Sequence, residues 1–254
     1  MAAELNLDVQ PDAAKTQEFR QHMGTVSRHS GVFLAGSIFS VALGYLFKVY
    51  LARTLGARDL GIYALGMTIV AFLRIFNSLG LPRSAVRYVA SYGATGKLEL
   101  LRGFLARSLF LLLTFNVLLG ATMLLLGPWI AVHFYQTPEI RTYLPLFALI
   151  MIAAVLTAFL EQVLAGYKSV AGRTVIANFI GTPASIIFTV VLVAAGFRLW
   201  GYLFAQLMSA CLVLALMAGL AWRLTPKAAR SISGALPPME KEVVAFSRTA
   251  AGSS

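Results

Sequence analysis

The chain has 254 residues, of which 59% are hydrophobic and only 12% charged, with a net charge of +11 and a mean hydropathy of +0.78. Such values lie far outside the range of a soluble domain and describe a chain built for lipid. The positive balance is a membrane-topology signal plus attraction to anionic headgroups, and no nucleic-acid partner is needed to explain it.

Residues 1–29 form a polar tail containing Glu4, Asp8, Asp12 and Glu18, without the cleavage pattern of a signal peptide. Phe19, Met23 and Val26 recur at i, i+4 and i+7, so the end of this cytoplasmic tail is either a short interfacial helix or a disordered segment. Residues 31–52 and 60–82 are long apolar runs interrupted by Lys48 and Arg74 respectively. Between them, ARTLGARD reads as a tight outer turn. The segment LPRSAVRYVASYGATGKLELLRGF reads as a helical hairpin, with Pro82 opening the first helix and Gly93 to Gly96 supplying its turn.

Four charge-free runs follow, at 108–138, 142–160, 174–197 and 199–222, each at least near the roughly 20 residues that cross a hydrocarbon core. The first is too long for one span, and Gly127-Pro128 is expected to end its helix, leaving WIAVHFYQTP outside. The expected architecture is therefore an all-α integral membrane protein with a six-helix transmembrane lobe over 30–222. Of the 21 Lys and Arg residues, fifteen fall on one side of these spans and four on the other. The positive-inside rule then places both ends of this chain in the cytoplasm, with the lobe in the cell (inner) membrane.

Polar residues inside the spans fall on shared helix faces. Ser37, Gly44 and Lys48 align in the first, with Ser40 adjacent; Tyr63, Arg74, Asn77 and Ser78 cluster in the second; Ala154, Thr157, Ala158 and Glu161 do so in the fourth. Asn178, Thr182, Ser185 and Thr189 form a stripe in the fifth, where Gly181 and Pro183 should bend or loosen the helix. Tyr202, Gln206 and Ser209 complete the set. Such stripes serve either close helix packing or a polar cavity between helices. A cation near the bilayer centre costs about 2.5–3.5 kcal/mol, so Lys48 either lines such a cavity or snorkels to the interface beside Arg53, and Arg74 poses the same choice. Arg74 and Glu161 lie at similar depths and could form an ion pair, structural or gating.

Enzymatic chemistry is disfavoured. His22, His29 and His133 have no second ligand at metal spacing, Cys211 sits in a Leu-rich span, and Asp59, Glu99 and Glu139 are scattered singly. No metal or other cofactor is expected.

The stretch GVFLAGSIFSVALGYLFKVYLARTLGARDLGIYALG, followed by FLRIFNSLGLPRSAVRYVASY and later by LAGYKSVAGRTVIANFI, resembles polysaccharide biosynthesis proteins of the O-antigen flippase type. These belong to the multidrug/oligosaccharidyl-lipid/polysaccharide (MOP) exporter superfamily. The similarity covers most of residues 28–222 and rests on the order of its pieces. It implies a MOP or MATE-like transporter of two six-helix lobes, of which this would be the N-lobe, exporting a polyprenyl-diphosphate-linked oligosaccharide by alternating access. From their helix faces, Lys48 and Arg74 would hold the diphosphate, while Asn178, Thr182, Ser185, Tyr202 and Gln206 would meet sugar hydroxyls.

Residues 223–254 read as a cytoplasmic segment leading to a truncated seventh helix. The expectation is thus an N-terminal half, completed by a C-terminal lobe, a second copy or another partner. Membrane lipids and polysaccharide assembly enzymes are the further partners expected. A cation-coupled multidrug exporter and a non-transporting scaffold or enzyme subunit are the alternatives.

Overall fold

A computed structural model describes residues 13–77, 81–133 and 137–225, with side chains from Gly44 onward except at positions 76, 83, 132 and 170. Every element is helical: α1 (Ala13–Asn77), α2 (Leu81–Ala94), α3 (Leu98–His133), α4 (Ile140–Gly166), α5 (Val170–Thr174), a π-helical segment (Val175–Gly181), α6 (Thr182–Leu192), a second π-helical segment (Val193–Phe197) and α7 (Arg198–Leu224). Among the described residues, four stretches are long and apolar enough to cross a membrane: Gly44–Ile75, Leu98–Ala131, Ile140–Gly166 and Ala171–Leu224.

The chain divides into two compact units, Met1–Arg53 and Thr54–Ser254. In the first, the backbone is helical from Ala13 onward, so the 19–26 segment is helix; the side chains of Phe19, Met23, Val26, Ser37 and Ser40 lie outside those described. Lys48 belongs to this unit and is exposed.

Two helical stretches contain a backbone break. Gly56, within ARTLGARD, has φ 80° and ψ 170°, and Gly196 has φ 92°. Both conformations are open to glycine and strained for residues with a Cβ, so the sequence interrupts its helices where these glycines stand. Arg198 shares the second break with φ 44°.

Contacts across the Gly196 break define an antiparallel hairpin. Ser209 Oγ donates to the Gly181 carbonyl at 3.0 Å, and a Cβ on Gly172 would come 2.8 Å from Leu220. The π-helical segment Val175–Gly181 ends two residues before Pro183. Proline has no N–H to donate and its ring crowds the preceding turn, so the helix widens there, in line with the expected loosening.

A second hairpin joins α3 and α4. Phe104 meets Phe159 near one end (ring centroids 6.5 Å apart), and Gly127 faces Leu144 near the other. Contrary to expectation, Gly127-Pro128 does not end α3, which continues to His133. Proline in a helix interior forfeits a hydrogen bond, a cost of about 3 kcal/mol or more, but tertiary packing overrides it here. Gly127 lets Leu144 approach so closely that a Cβ would stand 2.7 Å from Leu144 Cδ1, Ala131 is fully buried, and the Thr137 N–H caps the Ala131 carbonyl at 3.1 Å.

The helical hairpin expected over residues 81–104 forms as α2 and the start of α3, turning at Gly96 with φ 68°. Its apolar face packs Ala85, Tyr88, Val89 and Tyr92 onto Phe104, Phe159 and Val163. Helix α4 is the centre of the second unit: between Leu144 and Val155 it is apolar on every side, and it buries several of them at once. Half of its span is buried, against 22% in the other three stretches. It contacts α2, α3 and α7, and Phe147 lies so close to Gly66 of α1 that a Cβ there would overlap its ring. On the outside, Phe72, Phe110, Leu125, Phe179 and Ile187 are exposed, as befits helices solvated by hydrocarbon.

Candidate functional site

Polar side chains inside the second unit gather at three levels. At one end stand the Gly56 break, the Thr137–Glu139 turn and the Gly196 break. There Arg58 pairs with Glu139, and Arg198 Nε donates to Asp59 Oδ2 at 3.1 Å while its Nη2 donates to the Leu55 carbonyl at 3.1 Å. Tyr143 and Trp200 meet beneath these pairs with ring centroids 5.2 Å apart, and Trp200 stacks on Phe204. Asp59 and Glu139, scattered in sequence, are thus brought to one end and each is held by an arginine. A depression of about 370 Å³ opens beside them, lined by Arg58, Gly61, Leu65 and Glu139 among others.

One to two turns in from that end, Tyr63 contacts Phe147 (6.1 Å) and Tyr202 (5.0 Å, edge-on), and Gln206 Nε2 donates to the Tyr202 hydroxyl at 3.2 Å. Tyr202 is buried, so this group ties the second half of α1 to α4 and α7. Its two expected sugar-facing members, Tyr202 and Gln206, are therefore brought together with their polar atoms turned to each other.

The fifth-span stripe is not one uniform face. Asn178 and Thr182 are exposed, Ser185 is half-buried and Thr189 is fully buried. The π-helical turn beside Asn178 departs from 3.6 residues per turn, so arithmetic on an ideal helix no longer fixes its phase. Two hydroxyls turn back on their own helix, Thr189 to the Ser185 carbonyl at 2.7 Å and Thr182 to the Ala177 carbonyl at 3.5 Å. Such back-bonding satisfies the hydroxyl without a ligand.

Arg74 is exposed and Glu161 half-buried, and among the described residues no ion pair joins them. Asn77, on the Arg74 side of α1, is buried, and Ser78 lies outside the described residues.

A residue missed in the sequence is Asn116, fully buried in α3. Its Nδ2 donates to the Leu112 and Asn77 carbonyls, both at 2.9 Å, fastening the end of α1 to α3. Among the described residues its Oδ1, the Ser108 hydroxyl and the Thr157 hydroxyl are buried without a partner. A lone amide in an apolar helix was the available signal, since such groups join helices by hydrogen bonds.

At the opposite end lie the α2–α3 turn, the 166–170 connection and the end of α7. Basic residues crowd it: Arg87, Lys97, Arg102, Arg107, Lys168, Arg173 and Arg223, with Glu99 the carboxylate nearest the turn. The Tyr167 and Thr225 hydroxyls meet there at 3.0 Å.

Long apolar helices, outer faces of exposed apolar side chains and charge concentrated toward the two ends define a multi-pass helical membrane protein. The family model described as "Polysaccharide biosynthesis protein" matches residues 26–236. That covers most of the chain, which belongs to this family. Neither the curated proteins nor the solved structures give a significant match.

Proposed function

We propose that the protein exports a polyprenyl-diphosphate-linked oligosaccharide for cell-surface polysaccharide biosynthesis, by alternating access and without covalent catalysis. The observation that carries this reading is the family match, which spans every apolar helix of the chain rather than one motif. Within it, the four apolar stretches count as six crossings, because the breaks at Gly56 and Gly196 divide two of them. The basic end faces the cytoplasm of the inner membrane, in keeping with the positive-inside rule.

The lipid tail stays in the bilayer while the diphosphate and sugars pass a polar surface. Lys48 and Arg74 are the cations for the diphosphate, and both are exposed, as a ligand-facing side chain must be. Asn178 and Thr182, exposed in the fifth span, and Ser185 meet sugar hydroxyls; Tyr202 and Gln206 serve only if their mutual hydrogen bond opens. An Arg74–Glu161 pair would belong to a different stage of the cycle, as a gate. A complementary lobe, from the same reading frame or a second copy, completes the path.

The test is complementation of a strain that accumulates lipid-linked oligosaccharide on the inner leaflet, using the complete reading frame. Lys48→Ala and Arg74→Ala should each lower surface polysaccharide about tenfold or more at equal protein level, the loss of one charge-assisted contact. Undiminished export by both variants would overturn the cationic role.

A further inference from the structure

Among the described residues, only Lys168 and Arg198 have a positive φ without being glycine. Arg198, with φ 44° and ψ −128°, occupies a combination found at turn positions that glycine dominates, because a Cβ there crowds its own backbone. It follows Gly196 by two residues, so it belongs to the turn that opens α7.

Two bonds hold Arg198 in this conformation. Its Nε donates to Asp59 Oδ2 and its Nη2 to the Leu55 carbonyl, each at 3.1 Å. Leu55 immediately precedes the Gly56 break, so its carbonyl is one of those that a helix end leaves without an intrahelical partner. Asp59 lies three residues after the break, in the first turn of the helix that resumes there. One guanidinium therefore serves both sides of the Gly56 break while its backbone forms part of the Gly196 turn.

The opposing effects are of similar size. A non-glycine residue in such a region resists by about as much as a partly exposed ion pair and one charge-assisted hydrogen bond contribute. The Arg198 side chain is 65% exposed, which weakens its attraction to Asp59 further. When the contact opens the backbone is free to relax, so the closed and open arrangements lie close in free energy, as a two-state element requires. The neighbouring Arg58–Glu139 pair joins two residues without positive φ, and its opening relieves no backbone.

We propose that Arg198 is a strained latch that holds the Gly56 break against the Gly196 turn, opens by releasing Asp59 and the Leu55 carbonyl together, and gates this end of the second unit during export. The gating role rests on the export reading; the latch does not.

Leu55 supplies the readout, because it is fully buried and its carbonyl is part of the latch. Ala131, fully buried at the same end but away from Arg198, is the control. The complete reading frame carrying Cys211→Ser and either Leu55→Cys or Ala131→Cys is reconstituted in phosphatidylcholine vesicles and labelled with N-ethylmaleimide. The thiol at position 55 should label about tenfold faster than that at 131, since an open state in this free-energy range is populated at roughly 0.1–10%. Asp59→Asn should speed labelling at 55 about tenfold again, the loss of one charge-assisted contact, and leave 131 unchanged. Arg198→Lys, which keeps the charge but not the two-armed contact, should act in the same way, whereas Glu139→Gln should change neither site. Equal protection of the two thiols in the parent overturns the latch, and so does an equal acceleration at both, which would be general loosening of the fold. A second arm carries Asp59→Cys and Arg198→Cys in the Cys211→Ser chain, joined by a short bis-methanethiosulfonate. Surface polysaccharide should fall about tenfold or more on cross-linking and return on reduction; export indifferent to the cross-link overturns the gating role. A parent chain that labels as expected but restores no export would sink the export reading alone and support the latch.

Discussion

The two ends of the second unit use charge differently. At one end Asp59 and Glu139 are both in ion pairs, with Arg198 and Arg58, and the pairs link three separate connections of the chain. At the other end the basic residues named above stand near two carboxylates, Glu99 and Glu161. Charge at the paired end is internal to the fold, fixing where the breaks at Gly56 and Gly196 sit against the start of α4. Cations outnumber carboxylates at the basic end, and an excess of Lys and Arg on one side orients a helical membrane protein. An apolar helix bundle lies between, and its stability comes from close packing, since lipid tails are as apolar as the helix faces.

If this division holds, the largest effect on stability belongs to neither end. Gly66→Leu would place carbon atoms inside the Phe147 ring and should lower unfolding stability in detergent by about 3 kcal/mol, with partial recovery when Phe147→Ala is added. A Gly66→Leu protein that unfolds like its parent would mean that the ends hold the bundle together. Next comes the paired end. Asp59 is only 14% exposed and holds Arg198, so Asp59→Ala should cost about 1 kcal/mol in the same measurement. Adding Arg198→Ala should cost less than the two single losses combined, because the guanidinium would already have lost its carboxylate.

Much of this arrangement could be read from residue order, and the failures have identifiable causes. The interruption within ARTLGARD, the hairpin after Leu81 and the loosening before Pro183 were legible because glycine and proline act on their own backbone. The continuation of α3 through Pro128 was not, because its support comes from Leu144 on another helix. The Arg58–Glu139 and Arg198–Asp59 pairs join residues 81 and 139 positions apart, and no local pattern marks them. The polar stripes lie between these cases. Spacing gave the face of each helix but not what that face meets, and in the fifth span a π-helical turn altered the phase while Thr182 and Thr189 bonded to their own backbone. Asn116 escaped because it belongs to no stripe, although a solitary amide in an apolar helix already requires a partner.

The smallest expected effects discriminate best between the two uses of charge. Arg58 and Glu139 are 76% and 44% exposed, so water screens their attraction, and Glu139→Gln should destabilise by about 0.5 kcal/mol at most. That loss should vanish near 1 M salt, where the screening length falls to about 3 Å. Lys97→Gln removes an exposed charge beside the Gly96 turn, among like-charged neighbours, and should leave stability unchanged or slightly raised at low salt. If Lys97→Gln instead destabilised as much as Glu139→Gln and with the same salt dependence, the basic end would be internally paired as well. The contrast between the ends would then be one of residue count rather than of role.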